Sequence, residues 1–420
     1  MNFFSVFLSS AELRRKVYFT LALLAIYRLG SHIPISGVDL QAIQAMFNQG
    51  GVLGFVNLFS GGGLSRFSIF ALGILPYINA SIIMQLLMVV MPKLKEIAEE
   101  GESGRKQVAQ YTRYLAVGLA LVQGLFMSIG FKAFIQPGGS VVGFVFCSVV
   151  GLVAGAALVM WLGELITERG IGNGASLIIF VGIVSQMPFY LKNTFILLSG
   201  GVSIIGVIIM CLVLMGMVIG IVYIQEAQRR IPVQYAKRIV GRKMYAGQNT
   251  YIPLRLIQGG VLPIIFASAV LQFPLMFAQY VPLPVIQNFF NNYYRYDGFI
   301  YNAFFCFLIF FFTYFYTAIT FNPQELAENI KKYGGFIVGV RPGKPTVEYL
   351  EAIITKLTLV GAVCLAFIAL VPTVTATLTR VTSFMGLGGT ALLILVGVAL
   401  DLVRQVETFI ISKKYERVLE

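Results

Sequence analysis

Charged residues are scarce in this chain. Asp, Glu, Lys and Arg make up 12% of the 420 residues, whereas they make up roughly 25% of an ordinary soluble domain. Hydrophobic residues make up 58%, and the mean hydropathy is +0.83. A soluble fold could not keep that much apolar surface away from water, so the composition excludes a soluble domain and predicts an all-α integral membrane protein.

Cysteine and histidine are nearly absent. His32 is the single histidine, beside a predicted span end, and an interfacial residue is the simplest interpretation. The four cysteines lie singly in or beside apolar runs, and no pair has metal-site or redox spacing. We therefore expect no metal site, and we interpret the cysteines as small packing residues. They are Cys147, Cys211, Cys306 and Cys364.

Nucleotide and hydrolase motifs are also missing. Gly343-Lys344 is followed by Pro345, where a phosphate-binding loop requires Ser or Thr. No His-Glu-x-x-His or Gly-x-Ser-x-Gly occurs, and the middles of the apolar runs hold almost no acidic side chains, which proton- and sodium-coupled pumps keep in their pathways. The sequence therefore predicts no catalytic site, no cofactor and no energy coupling of its own.

Apolar runs of about 20 residues, the length that crosses a bilayer, recur ten times. The predicted spans are 18–33, 68–90, 112–131, 142–165, 172–190, 202–224, 259–281, 298–320, 356–374 and 387–405. An even number of spans places both termini on one side of the membrane.

The basic residues are distributed unequally. Of the 31 Lys and Arg residues, 25 fall on the side that holds both termini. Because cytoplasmic loops carry the excess of positive charge, both termini are predicted to be cytoplasmic. The six on the other side are Arg28, Arg66, Lys132, Lys192, Arg295 and Arg380.

The second span is interrupted. In GGGLSRFSIFALGILPYINASIIMQ, residues 61–85, Gly73 and Pro76 break the apolar run. Backbone groups freed by such a break must be enclosed by protein or line a watery cavity. Residues 52–66 are too short and glycine-rich to span, so we predict a re-entrant segment; the alternative is a kinked ordinary span after a flexible loop.

The chain resembles the SecY family of protein-conducting channels through several long segments in the family's order. Residues 57–87, NLFSGGGLSRFSIFALGILPYINASIIMQLL, resemble the family's plug and second helix. Further similar segments are EGESGRKQVAQYTRY, WLGELITERGIGNGASLIIF, QRRIPVQYAKR, GGVLPIIFAS, FNPQELAENIKKYGGFIVGVRPGK and GGTALLILV.

The resemblance implies ten helices in two inverted five-helix halves, residues 1–200 and 201–420, arranged as a clamshell around an hourglass pore. It implies a channel in the bacterial cytoplasmic membrane that passes unfolded secretory polypeptides and releases transmembrane segments sideways into lipid. The implied partners are the SecE and SecG subunits, the SecA ATPase, the ribosome with its RNA and proteins, the signal sequence of the substrate, and the lipid bilayer.

The resemblance implies a ring of aliphatic side chains at the pore waist. A ring without charge coordinates no ions, and a narrow apolar constriction excludes water by dewetting. Ala175 departs from the family's bulky residue, and for each isoleucine ordinary packing is the alternative. The ring positions are Ile74, Ile78, Ala175, Ile179, Ile265 and Ile394.

The implied plug is the glycine-rich stretch from position 57 to 67. Glycine accepts backbone angles that other residues resist, and we expect a segment that must leave the pore to be poorly anchored. The plug positions are Asn57, Phe59, Ser60, Gly61, Gly62, Gly63, Leu64, Ser65, Arg66 and Phe67.

A lateral gate is implied between spans two and three on one side and seven and eight on the other, with Asn79, Gln123 and Ser268 at the seam. Hydrogen bonds between membrane helices average about 0.6 kcal/mol, weak enough for a seam that must open. The alternative is that these side chains bond to carbonyls of their own helices, and Ser268 fits it best.

The implied docking surface is formed by two long basic loops, residues 225–258 and 321–355. The alternative explanation is membrane topology alone, because cytoplasmic loops carry an excess of Lys and Arg whether or not they bind a partner. Ribosomal RNA would bind such loops through phosphates, and an arginine at a loop tip can fork onto a partner's carboxylate. The residues are Arg229, Arg230, Lys237, Arg238, Arg242, Lys243, Arg341 and Lys344.

Two other functions stay open at this point. A secondary transporter for a small solute would use the broken second span as a midplane substrate site. An intramembrane enzyme would need paired catalytic residues, which the sequence does not offer. The long basic loops favour the channel, because a solute carrier has little reason to keep them.

Overall fold

The computed structural model describes residues 11–48, 57, 59–136, 140–199, 203–235, 238–240, 243–245, 249–280, 298–379, 381 and 388–419. These are mostly helical, and each of the ten predicted spans coincides with a helix. The helices are α1 Ala11–Gly30, α2 Leu40–Asn48, α3 Leu75–Val90, α4 Pro92–Glu99, α5 Glu102–Gly130, α6 Val141–Arg169, α7 Gly174–Ser199, α8 Ile204–Glu226, α9 Leu262–Tyr280, α10 Phe299–Thr320, α11 Pro323–Lys332, α12 Lys344–Thr379 and α13 Gly389–Leu419.

Length and composition support the membrane assignment. Within the described ranges, 7 helices are long and apolar enough to cross a bilayer, and the bent pair α3–α4 makes an eighth if it counts as one span. The pair bends by 104° at Met91, whose extended backbone precedes Pro92. A residue before proline disfavours the helical conformation, which explains the sharp turn. Helices α1 and α9 occupy the remaining predicted spans, one and seven.

Several helices extend beyond the runs predicted from hydropathy. Helix α5 begins at Glu102, α12 begins at Lys344, and α13 continues to Leu419. Hydropathy marks only the stretch that lies in lipid, whereas a helix can continue into water with charged side chains. The predicted boundaries are therefore right for the apolar stretches and too short for the whole helices.

Helix α3 is shorter than the predicted span, because residues 68–74 form turns. Gly73 has a φ of +56°, a left-handed conformation that glycine adopts without steric cost. Pro76 lies in the first helical turn, where its missing N–H leaves no hydrogen bond unmade. The predicted interruption is thus the start of the helix itself.

The helices pack in two groups. Helices α1 and α3–α7 contact one another, as do α8–α10, α12 and α13. Contacts of α9 with α3 and α5, and of α13 with α7, join the groups. A continuous apolar cluster runs through both groups and includes residues from the plug stretch and from helices of each group.

The basic loops contain a small antiparallel sheet that the sequence analysis does not predict. Strand β1 Gln228–Tyr235 pairs with β4 Asn249–Arg255 and with β5 Gly335–Ile337, while β2 Arg238–Val240 pairs with β3 Lys243–Tyr245. We call β1, β4, β5, α11 and the first turns of α12 the platform. Its own apolar cluster comprises Ile231, Val233, Leu254, Ala327, Ile330, Ile337, Leu350, Ile353 and Ile354.

Candidate functional site

The six predicted ring residues all belong to or pack against the apolar cluster that runs through both helix groups. Five of them are buried, with exposures between 0% for Ile394 and 6% for Ile78, while Ala175 is half-buried and packs against the same cluster. None of the six carries charge or a side-chain hydrogen-bonding group. Burial fits both the ring interpretation and the packing alternative, so their role in the pore stays a prediction.

The helices that carry these residues form a closed circuit. Helix α3 contacts α9, α9 contacts α13, and α13 contacts α7. Helix α6 touches both α7 and α3 and so completes the circuit. At this joint a Cβ atom added to Gly163 would lie 3.2 Å from Ile74 Cδ1 and 3.6 Å from the Ala175 nitrogen. The joint brings the Ile74 side chain and the Ala175 backbone to the same glycine.

The plug stretch is compact and bonded within itself. The Asn57 carbonyl accepts from the Gly62 amide at 2.9 Å, and the Asn57 Oδ1 atom accepts from the Ser65 amide at 2.8 Å. The Ser60 hydroxyl accepts from the Leu64 amide at 3.1 Å. A segment inside a helical bundle must satisfy its own backbone groups. The expectation of a poorly anchored segment therefore does not describe the structure.

Apolar side chains also hold the plug stretch in place. Phe59, Leu64 and Phe67 are buried, and the Phe67 ring packs on Phe131 and Phe144 with centroid distances of 5.1 and 5.9 Å. Phe67 has a φ of 43°, a conformation uncommon outside glycine. Ser60 and the three glycines are buried, and Ser65 and Arg66 are half-buried; residues 52–56 and 58 lie outside the described residues.

Two neighbouring helices, α1 and α7, contact the plug stretch. The Arg28 Nη1 atom on α1 donates to the Gly61 carbonyl at 2.6 Å. Helix α7 is also close to the plug stretch. A Cβ atom added to Gly61 would lie 3.1 Å from the Cα atom of Gly182 on α7, and one added to Gly62 would meet the side-chain amide of Gln186 on the same helix. The sequence analysis treats Arg28 only as part of the charge balance, since no local pattern links it to a residue 33 positions away.

The seam between α9 and the pair α3 and α5 is closed. Asn79, Gln123 and Ser268 are all buried at their positions on these helices. The Ser268 hydroxyl donates to the Ile265 carbonyl of its own helix at 2.8 Å, as the alternative interpretation predicts. Among the described residues no hydrogen bond joins these three side chains to one another, so the expected polar contact across the seam is not formed by this set.

A different polar pair crosses the seam. The side chain of Gln85 on α3 lies close enough to the Tyr316 hydroxyl on α10 to interact with it. The Tyr316 ring packs on Phe266 of α9 at 5.5 Å between centroids, and Phe266 also meets Phe312 at 5.9 Å. The sequence analysis misses this pair. A glutamine among isoleucines in the broken span was the only signal that could have indicated it.

The platform presents part of the predicted docking set to solvent. Arg229 and Arg230 on β1 are exposed, as are Arg341 and Lys344 on either side of the Pro342-Gly343 turn. Gly343 has a φ of +111°, and the Thr346 hydroxyl donates to the Arg341 carbonyl at 2.9 Å, which fixes the turn at the start of α12. Lys237 and Arg242 lie outside the described residues, as do the side chains of Arg238 and Lys243.

Within the described part of the chain, no group of three or more His, Cys, Asp or Glu side chains could hold a metal ion. The four cysteines are free. The arrangement is therefore an uncharged apolar region, a buried glycine-rich segment and a closed helix seam.

Comparisons with known proteins agree with this arrangement. The SecY family model matches residues 68–403. The protein translocase subunit SecY of Synechocystis is 46% identical over 423 residues, which cover 98% of this chain and 95% of the relative. The subunit of the same name from Thermus thermophilus is 47% identical over 418 residues, with 96% and 94% covered.

Solved structures show the same fold at low identity. Two of them, one described as a protein-conducting channel and the other concerned with the SecY plug domain and the closed state, have a TM-score of 0.65 at 20% identity and cover 94% of this chain and 92% of theirs. Sec61 in the canine ribosome–channel complex has a TM-score of 0.62 at 19% identity, with the same coverage.

Proposed function

The chain belongs to the SecY family, and we propose on that basis that it is the channel subunit of a protein translocase. It conducts unfolded secretory polypeptides across the membrane and releases transmembrane segments sideways into lipid. The solute-transporter alternative gains no support, because the curated relatives are translocase subunits. The observation that supports the proposal is the circuit of helices that carries the six predicted ring positions, all of which belong to or pack against the apolar cluster that includes the plug stretch.

The aliphatic ring suits a conduit for arbitrary sequences. A pore that passes every kind of side chain cannot depend on specific hydrogen bonds. A narrow apolar constriction also resists water and ions by dewetting. We assign the waist to Ile74, Ile78, Ala175, Ile179, Ile265 and Ile394, the resting seal to residues 57–67, and the lateral exit to the seam between α9 and the pair α3 and α5. We also assign the two channel halves to residues 1–200 and 201–420, a division that the two helix groups support.

The experiment is reconstitution of the complete translocase in proteoliposomes with an unfolded precursor. Protease protection of the precursor inside the vesicles is the expected result. Saturable uptake of a small solute without precursor protection would instead favour the transporter. Deletion of residues 57–66 serves as a second arm: the variant is expected to fold and to leak ions, because the waist alone seals imperfectly. Unchanged bilayer conductance would remove the plug assignment.

We place the channel in the bacterial cytoplasmic membrane with both termini in the cytoplasm. The excess of Lys and Arg on the side of the termini supports this orientation. The platform then faces the cytoplasm, where it would dock a SecA-type ATPase motor or the ribosome, and SecE- and SecG-type subunits would complete the assembly. A partner supplies the energy, and the chain itself performs no catalysis.

Docking through the platform is tested by Arg341→Glu. Arg341 is exposed at the turn before α12, so reversal of its charge should leave insertion and folding intact. We expect motor-driven export to fall several-fold, since an arginine that forks onto a carboxylate of its partner becomes repulsive. Lys331→Glu on α11 is the matched control, because it reverses an exposed charge of the platform outside the proposed docking set. Normal motor-dependent export in Arg341→Glu would remove Arg341 from that set.

A further inference from the structure

The plug stretch receives one bond from a charged side chain in the described part of the chain. Arg28 reaches from the last turn of α1 to the Gly61 carbonyl at 2.6 Å, and its Nη1 atom is also 3.4 Å from the Ser31 hydroxyl. Hydrogen bonds with an ionised donor are shorter and roughly twice as strong as neutral ones. Other hydrogen bonds join residues within the stretch, such as those of Asn57 with Gly62 and Ser65 and of Ser60 with Leu64.

Among the described residues, no ion pair explains why the Arg28 guanidinium lies there. No carboxylate lies within 4.0 Å of it among the described residues. Its charged neighbour is Arg66 of the plug stretch, close enough for the two charges to repel. Arg66 also has a buried Nη1 atom without a hydrogen-bond partner among the described residues. Arg28 therefore approaches the plug against repulsion, and the Gly61 carbonyl is the group that compensates.

The contact lies where plug movement would break it. Gly61 has a φ of +61°, and a Cβ atom added to it would lie close to Gly182 and Ser185 of α7. A shift of the plug away from α1 separates the Gly61 carbonyl from Arg28 and also moves the two arginines apart. Opening thus loses one strong bond and relieves one repulsion, an arrangement that keeps the closed state stable and still reversible.

We propose that Arg28 is a positioning residue that latches the plug in its resting place through the Gly61 carbonyl, with Arg66 as the opposing charge. The proposal rests on the channel function and adds the residue that sets how readily the channel opens. Arg28 acts on the plug and has no contact with the passing polypeptide in this role.

The test is the resting ion conductance of the purified complete translocase in planar bilayers. Arg28→Met should raise the conductance about tenfold or more, the change expected for loss of one charge-assisted hydrogen bond. Arg28→Lys, which keeps the charge and a donor, should restore part of the seal. Loss of the Arg28 hydrogen bond in Arg28→Met should also let a precursor with a weakened signal sequence pass faster, because less work is needed to move the plug.

Arg66→Met is the matched variant, since it removes the same charge beside the same segment. It should leave the resting conductance at or below the native value. Equal increases in resting conductance in Arg28→Met and Arg66→Met would mean that the loss of one positive charge beside the plug stretch explains the leak. The latch proposal would then be wrong. The thermal unfolding temperature and the transport rate of a precursor with an intact signal control for damage to the fold, and both should stay native.

The deletion of residues 57–66 separates this proposal from the assignment of the plug. If the deletion leaks and Arg28→Met seals as well as the native channel, the latch is wrong and the plug assignment stands. If neither variant leaks, the plug assignment itself is wrong.

Discussion

The helices around the plug stretch, which we call the membrane core, and the platform are assembled by different forces. In the membrane core, backbones touch at glycines: a Cβ atom on Gly155 would collide with the Ile69 carbonyl, and one on Gly174 with the Gly163 carbonyl. The platform instead buries branched and aliphatic side chains such as Val233 and Leu350 between its sheet and its helices.

The difference follows from the surrounding solvent. Lipid tails are as apolar as the helices, so shape and hydrogen bonds decide how membrane helices associate. Around the platform, water drives apolar side chains inward. The comparison teaches that the membrane core should be sensitive to added volume, whereas the platform should be sensitive to lost volume.

The largest expected effect is on the membrane core. Gly155→Leu places a side chain against the backbone at Ile69, where α6 packs on the turns before α3. We expect no folded channel to be recovered, because neither backbone can withdraw. The yield of detergent-stable, monodisperse protein is the measurement. Gly118→Leu on α5 is the control, because a Cβ atom added at Gly118 has no neighbouring atom from the rest of the described chain within 4 Å. Equal yields of the two variants would contradict the account of shape-determined packing.

A smaller effect is expected in the platform. Leu350→Ala removes a fully buried side chain and should destabilise the platform by about 3 kcal/mol, within the range for such truncations. Hydrogen exchange of the β1 and β5 amides should speed up while that of the α6 amides stays native. Val338→Ala, at a position that is 52% exposed, should change neither. Faster exchange in the membrane helices after Leu350→Ala would mean that the two regions do not fold independently.

The smallest effect is expected at the seam. Tyr316→Phe deletes the hydroxyl that interacts with Gln85 and keeps the ring that packs on Phe266. A polar interaction between membrane helices is worth about 0.6 kcal/mol on average, so the closed seam should weaken by a factor of about three. Cross-linking of a signal helix to α3 should increase accordingly. Tyr314→Phe, at an exposed position of the same helix, should leave the cross-linking unchanged; an equal increase there would exclude the Gln85 interaction as the cause.

The sequence predicts the parts of the fold that depend on local pattern. Ten apolar runs give ten helices, and the break at Gly73 and Pro76 is visible because each residue has a fixed backbone preference. The platform sheet is not predicted, although the alternation of Ile231 and Val233 in β1 is a weak strand signal. Its pairing with β5 joins segments about a hundred residues apart, which no local pattern encodes.

The site shows the same division. The ring, plug and seam positions come from resemblance to a family, and composition alone would not select any one isoleucine over its neighbours. The contacts of Arg28 with Gly61 and of Gln85 with Tyr316 are tertiary. A charged or amide side chain in an apolar run indicates that a partner exists, but only the packed helices show which partner it is.

The central claim is that an uncharged aliphatic constriction conducts the polypeptide. Single cysteines at Ile78, Ile179 and Ile265, in a chain whose four native cysteines are replaced, test it by cross-linking to a secretory chain stalled during passage. Leu212 and Phe367, which are 64% and 68% exposed on the outer helix faces, provide the controls. The account predicts strong cross-links at the three ring positions and none at the controls. Cross-links at the controls with none at the ring would contradict it.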